Sequence, residues 1–301
     1  MTIQQMCELM GVSRASFYRN WEEKAPSEAE VALRDAVQRT ALAHGNYGYR
    51  RITPLVQRAG FVVGEEKVRG ILRSDNLLAV RRRKFVVTTN PNHRFHVYPN
   101  LAESMELTAI NQLWVADITY IRLRWEFVFL AVVLDAFSRR GIGWKLGRTL
   151  ETRLALMALE AAIASRRPQP GLVHHSDRGT QYASNDYVQR LEGCGAHMSM
   201  SRPASPWENG KCESFIKTLK REELDARHYA NFAELQQNID EFIGQIYNKE
   251  RLHSALGYRS PEEFEQLLQK PDVKWSPAAL SFVRHDEIYR SDVGEGVLNS
   301  V

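Results

Sequence analysis

Cysteine is scarce in this chain of 301 residues: Cys7, Cys194 and Cys212 are the only three, and no two of them form a C-x-x-C pair. That spacing excludes a disulfide framework and a cysteine-based zinc site, and the thiols read as small buried hydrophobes in a reducing compartment. Long apolar runs are missing as well, none approaching the roughly 18 residues that a membrane span needs. The opening residues, MTIQQMCELMG, lack the basic-then-apolar order of a secretory signal. There is no solenoid repeat and no low-complexity tract. These absences point to a cytoplasmic protein with no membrane partner. A content of 44% hydrophobic and 25% charged residues suits an ordinary globular chain of two or three domains.

Charge is unevenly spread. Residues 1–100 hold 16 Lys and Arg against 9 Asp and Glu, a net +7, whereas the remainder holds 24 against 27, a net −3. A basic first third fits a polyanionic partner, and equally a solvated basic surface with none. Within it, Ile3, Met6, Cys7 and Met10 recur at helical spacing, Gly11 breaks the pattern, and Ser13 is placed to cap a second helix carrying Arg14, Ser16 and Arg19. Helix, glycine turn and short basic helix is the helix-turn-helix pattern, whose second helix enters the major groove. Two short packed helices with no DNA role would read the same way.

A second helical unit is expected over 27–84, with helices over 28–43, through TPLVQRAG and through GEEKVRGILRSDN. Pro54 is assigned to the first turn of its helix with Thr53 as cap, where a missing N–H costs nothing. Arg81, Arg82, Arg83 and Lys84 then lead into a Pro- and Asn-rich linker over 85–108. From 109 to 268 the texture changes. LWVADITYI, EFVFLAVVLDAFS and RRGIGWKLG read as antiparallel strands. A helix follows over 151–165, then a short strand GLVHHS, a helix over about 180–192, a short strand AHMSM and long helices. The order implies an α/β fold: a five-stranded mixed sheet covered by helices, of ribonuclease-H-like type, preceded by an all-α region. Residues 269–301 form a tail with no legible role.

Three carboxylates stand out. Asp117 sits mid-strand among apolar residues, where an unpaired charge is costly; Asp177 follows a strand end; Glu213 lies on a later helix. Carboxylates from separate elements of one core are what two hard divalent cations need for in-line phosphoryl transfer. Singly, each could equally be a surface charge or a cap.

The stretches WVADITYI, VLDAFSRRGIGW, HSDRGTQY, ENGKCESFIKTLKRE and YNKERLHSALGYRSPEEF resemble the DDE transposases related to retroviral integrases, and within them the OrfB product of the insertion-sequence-three family. HGNYGYRRI and VRGILRSDNLL extend the resemblance to that group's helix-turn-helix region, over roughly residues 35–265. Asp117 falls on the family's first Asp, Asp177 on its second and Glu213 on its Glu, with 59 residues between the first two and 35 between the last two. The resemblance implies two Mg²⁺ ions on these three carboxylates, with Mn²⁺ able to substitute. It further implies cleavage and strand transfer at terminal inverted repeats, target DNA as second substrate, a homo-oligomer, an OrfA partner or fusion, and a bacterial, nucleoid-associated enzyme. Departures are Glu208-Asn209-Gly210 where the family often has Asp-Asn-Ala, Leu252 where it often has Pro, and Pro54 where it has helix formers. There is no counterpart of the zinc-binding domain of retroviral integrases.

Beside the carboxylates, Lys217 and Lys220 fall within about 40° of Glu213 around the helix and are expected to contact DNA phosphates, as are Arg178, Arg81, Arg82, Arg83 and Lys84. Asp135 is read as a structural hydrogen-bonding residue. His174 and His175 alternate across a strand and cannot easily share one metal. Trp114, Trp144 and Trp207 read as core or interface aromatics. Ser205, Pro206 and Glu208 suggest a capping box opening the helix of Glu213, with the Glu208 side chain accepting from the Ser205 N–H. Two rival functions remain: an inactive relative serving as a DNA-binding repressor, and a Mg²⁺-dependent nuclease that never joins strands.

Overall fold

The computed structural model describes residues 2–15, 27–78, 96–203 and 205–269. Ser16, Arg19, Arg81, Arg82, Arg83, Lys84, most of the expected linker and the tail from 270 lie outside the described residues. The chain divides into two compact units, 1–81 and 82–301.

In the first unit, α1 (Ile3–Met10) begins at a capping box in which the Gln5 amide N–H donates to Thr2 and the Gln5 side chain accepts from the Thr2 N–H. It ends at Gly11, whose φ of 62° is the left-handed conformation glycine tolerates. Helical backbone resumes at Arg14, which is exposed. Three further helices, α2 (Glu28–Ala43), α3 (Tyr49–Arg58) and α4 (Glu65–Ser74), pack around Val37, Ala41, Ile52, Val56, Val68 and Leu72. Asp75, just past α4, accepts from Arg34 and Gln38 on α2, and these bonds pull its carboxyl down to about 2.

Pro54 is not in a first turn. α3 starts at Tyr49 with Gly48 as its cap, and Pro54 sits inside the helix. Ile52 and Val56 are both wholly buried, so the apolar face needs the earlier turn to be helical. The carbonyl that proline leaves without an intrahelical donor is that of Arg50, which is exposed. Thr53 does not cap; its hydroxyl donates to the Tyr49 carbonyl at 2.8 Å.

The second unit is built on five strands: β1 (Leu113–Arg122), β2 (Phe127–Asp135), β3 (Gly141–Gly147), β4 (Val173–Ser176) and β5 (His197–Met200), in the order β3-β2-β1-β4-β5. The first three pair antiparallel, and β1-β4 and β4-β5 pair parallel. Alternation along β1 sorts the two faces. Trp114 and Ala116 pack with α5 (Thr152–Arg166) and α6 (Asn185–Glu192). Leu113 and Val115 pack with α7 (Gly210–Leu219) and α8 (Phe232–Glu241), and with the π-helical turns that continue α8 over Phe242–Glu250. The result is a mixed sheet between helical layers, the ribonuclease-H-like arrangement. At Gly143 a Cβ would stand 2.2 Å from the Ala158 carbonyl oxygen, so only glycine lets β3 and α5 approach this closely.

α6 starts at Asn185, later than the expected 180, because residues 177–184 form turns anchored by the Asp177 carboxylate and by the Gly179 carbonyl, which accepts from the Tyr182 and Ala183 N–H groups. Asp135 is wholly buried. Its carboxylate accepts from the backbone N–H of Asn111, Phe137 and Ser138, which is a structural role. The Ser138 hydroxyl donates to Glu265 on the last helix, α9 (Pro261–Leu268), and Glu265 further receives Arg140 and Arg166. Burial alone would raise the Glu265 carboxyl; these donors outweigh it and hold it low. No helix among the described residues is long and apolar enough to cross a membrane.

Candidate active site

β1 and β4 run parallel with Val115 opposite His175. Two residues further along each chain are Asp117 and Asp177, so the register delivers the two aspartates side by side where β4 ends. α7 lies across β1 on the face that Leu113 and Val115 share, held by Cys212, Phe215, Ile216 and Leu219 at helical spacing. Burying that stripe turns Glu213 toward the aspartates.

Asp117 responds to all of this. Burial and the Asp177 charge, with a smaller push from Glu213, raise its carboxyl to about 8; the Ile118 N–H, which donates to it at 2.8 Å, and Lys220 offset part of the rise. Asp177 accepts from the Gly179 N–H at 2.9 Å. Burial, then Asp117, Asp177 and Glu213, likewise push the Cys212 thiol up. Glu213 is ion-paired with Lys217 at 2.9 Å. Among the described residues no three His, Cys, Asp or Glu side chains converge to hold a metal ion.

The segment before α7 differs from its expected form. Ser205 has φ −114° and ψ 62°, outside the extended region an N-cap occupies, and Pro206–Asn209 form a 3₁₀ turn rather than the start of one continuous helix. Glu208 does not reach back to Ser205. It accepts from the Arg202 backbone N–H at 2.6 Å and from the Arg202 Nε at 2.5 Å, because a guanidinium outcompetes a neutral amide for a carboxylate. Burial raises the Glu208 carboxyl, and the Arg202 bonds more than reverse this. Asn209 closes the turn onto the sheet: its Nδ2 donates to the Ala116 carbonyl at 2.9 Å.

A family profile for an integrase core domain matches residues 108–206, a second one residues 194–261, and a helix-turn-helix-like profile residues 28–85. The chain is 36% identical to the insertion element IS600 uncharacterized 31 kDa protein of Shigella sonnei, over 87% of this chain and 97% of that one. It is 36% identical to the transposase for insertion sequence element IS904 of Lactococcus lactis, over 74% and 88%. With the transposase InsF for insertion sequence IS3A of Escherichia coli it shares 31%, over 88% and 94%. The chain belongs to the insertion-sequence-three family of transposases. Among solved structures, the HTLV-2 integrase catalytic core in complex with magnesium is similar at 16% identity and a TM-score of 0.40, over 52% of this chain and 97% of that one.

The transposase is thus an enzyme of the DDE, integrase-core type. Lys220 lies with its ammonium 5.1 Å from the centre of the Tyr120 ring; burial lowers its pKa, against the pull of Asp117. Arg178 donates from Nε to the Ser201 carbonyl at 2.9 Å, bridging the Asp177 loop to the end of β5. His174 and His175 are buried with one ring nitrogen each bonded, to Tyr187 and Ser199, while His174 Nδ1 and His175 Nε2 have no partner among the described residues. Trp114 is core and Trp144 donates to Asp240, but Trp207 is 71% exposed because the 3₁₀ turn carries it outward. Two neighbours escaped sequence reasoning. Asn209 stood inside ENGKCESF with no role derived, and Tyr182, buried beside both aspartates, carries no pattern that would mark it.

Proposed function

We propose that this transposase binds the terminal inverted repeats of its element and cleaves and joins DNA strands there, with Asp117, Asp177 and Glu213 as its catalytic carboxylates. The observation that carries the reading is the crowding of like charge at Asp117, whose carboxyl is held at about 8 chiefly by its burial and by Asp177. An all-oxygen donor set whose negative charges are crowded and only partly offset by Lys217 and Lys220 suits hard divalent cations. Two Mg²⁺ ions, or Mn²⁺ in their place, would be held by these three residues and would supply the Lewis acidity for in-line transfer. Glu213, now paired with Lys217 at 2.9 Å, would be one of the residues holding that charge, and Lys217 would then be placed to meet a DNA phosphate beside the site. Lys220 and Arg178 flank the same place. The helical unit over 27–84 and the segment holding Arg14, Ser16 and Arg19 grip duplex DNA, with Arg81, Arg82, Arg83 and Lys84 following its backbone. Two element ends must be held together, so the working form is a dimer or larger, alone or with an OrfA partner, in the bacterial cytoplasm at the nucleoid.

The test incubates purified protein with a labelled inverted-repeat end and Mg²⁺ or Mn²⁺, wild type beside Asp177→Asn. Cleavage and joining by wild type alone are expected. Equal products from both proteins, or none from either with any required partner present, overturn the assignment; cleavage without joining makes the protein a nuclease.

A further inference from the structure

Among the described residues, the outer half of β1 has no strand partner on one side. β4 pairs only with Leu113, Trp114 and Val115, so from Asp117 outward the strand presents an open edge among the described residues. The β1–β2 hairpin that extends past it carries Arg122, Arg124, Trp125 and Phe127 within RLRWEF, residues 122–127, with Leu123 buried and Glu126 the one acidic residue. By register Tyr120 stands opposite Phe129 and Arg122 opposite Phe127, which puts Tyr120, Arg122 and Phe127 on one face. Their contacts form a chain. Lys220, beside Asp117, lies over the Tyr120 ring at 5.1 Å; the Tyr120 and Phe127 rings meet edge to face at 6.1 Å; Arg122 lies over Phe127 at 5.7 Å. At the tip Arg124 lies 4.9 Å from the Trp125 ring.

Two of these aromatics are held away from any core: Trp125 is 85% exposed and Phe127 53%. Large exposed aromatics in a contiguous patch mark an interaction surface. Arg122 and Arg124 lie on aromatic faces, and the one carboxylate of the stretch, Glu126, is paired with Arg148 at 2.9 Å, so the charge presented beside the exposed rings is basic and selects an anionic occupant with flat π-faces. We propose that the β1–β2 hairpin is a nucleic-acid contact of the transposase: Arg122, Arg124 and Lys220 track the backbone of a DNA strand leaving the catalytic carboxylates, and Trp125 stacks on an unpaired base of that strand. The proposal rests on the reading of Asp117, Asp177 and Glu213 given above, since continuity with that site is what makes the occupant DNA. A strand cut at an element end has bases free to leave the duplex, and base–aromatic stacking tolerates any sequence, so the hairpin would hold a frayed or single-stranded flank without reading it.

The test uses full-length protein and two labelled probes, a blunt duplex of arbitrary sequence and the same duplex with a short unpaired flank, read by fluorescence anisotropy. Wild type should prefer the flanked probe. Trp125→Ala should weaken binding of that probe roughly tenfold or more while leaving the blunt one unchanged, and Trp125→Phe should restore most of the preference. Arg122→Ala with Arg124→Ala should flatten the salt dependence for the flanked probe. Melting curves should match wild type, because Trp125 touches no core. Equal binding of both probes by wild type and Trp125→Ala overturns the hairpin role, even if strand cleavage is intact. Sedimentation that shows Trp125→Ala dissociating a wild-type oligomer, with probe binding unchanged, overturns it in favour of an interface between copies. Wild type that binds neither probe and cleaves no end overturns both the hairpin role and the catalytic reading.

Discussion

The Asn209 side chain donates to the Ala116 carbonyl at 2.9 Å, one residue before Asp117 on its strand. β4 stops short of this carbonyl, so the 3₁₀ turn supplies the donor the sheet does not. The bond fixes the entry of α7 relative to β1, and with it the position of Glu213. Asn209→Ala leaves a buried acceptor unpaired, at a cost of about 1–3 kcal/mol. Thermal melting should fall, and strand cleavage at saturating DNA should fall further than the stability loss explains.

Glu208 clamps Arg202, accepting from its backbone N–H and its Nε. Glu208→Gln should retain most cleavage activity, whereas Glu213→Gln should abolish it. A double-mutant cycle of Arg202→Ala and Glu208→Gln should give only a small coupling in stability, because Arg202 is half exposed. Loss of activity in Glu208→Gln equal to that of Glu213→Gln would reverse the assignment.

Burial holds His174 neutral, its pKa lowered to about 3, with the neighbouring His175 adding to the effect. The unfolded chain binds this proton near pH 6.5, so between those values the unfolded state carries more protons than the folded one. Stability is therefore complete above about pH 6.5 and is lost as the pH falls, by about 1.4 kcal/mol per unit for this one ring. Denaturant unfolding of His174→Gln between pH 6.5 and 5, above the range of ordinary carboxylates, should show a shallower slope than wild type. His175, which burial lowers to about 4, adds a slope of the same sign, and Asp117, raised to about 8, one of the opposite sign in both proteins.

Glu265 is 4% exposed and receives two arginines and a serine. Removing it strands Arg166 and leaves Arg140 only Glu262, and Glu265→Ala should cost about 3–5 kcal/mol. Glu262→Ala, which removes only the more exposed partner of Arg140, should cost less than about 1 kcal/mol. Equal losses in chemical denaturation would mean that the network is not what anchors α9.

The strands and long helices were legible because their apolar periods are long and uninterrupted: α2 runs over the expected 28–43, and β1 to β3 coincide with the three β-branched runs. The three carboxylates were legible one at a time, and the family resemblance joined them. What failed was local and polar. Pro54 looked like a first-turn residue because sequence does not disclose that Ile52 must be buried one turn earlier. The Ser205–Glu208 spacing looked like a capping box because Arg202, six residues before Glu208, is not a neighbour until the chain turns. The pairing of Glu213 with Lys217 follows from a shared helix face, which the sequence does contain.

Glu265 is the last charged residue of α9 to reach into the core, and it comes after every residue of the catalytic face. During synthesis, then, Asp117, Asp177 and Glu213 leave the ribosome well before the side chain that ties α9 to Arg140 and Arg166. A chain that stopped before α9 would hold Asp117, Asp177 and Glu213 while leaving Arg140 and Arg166 without the carboxylate of Glu265.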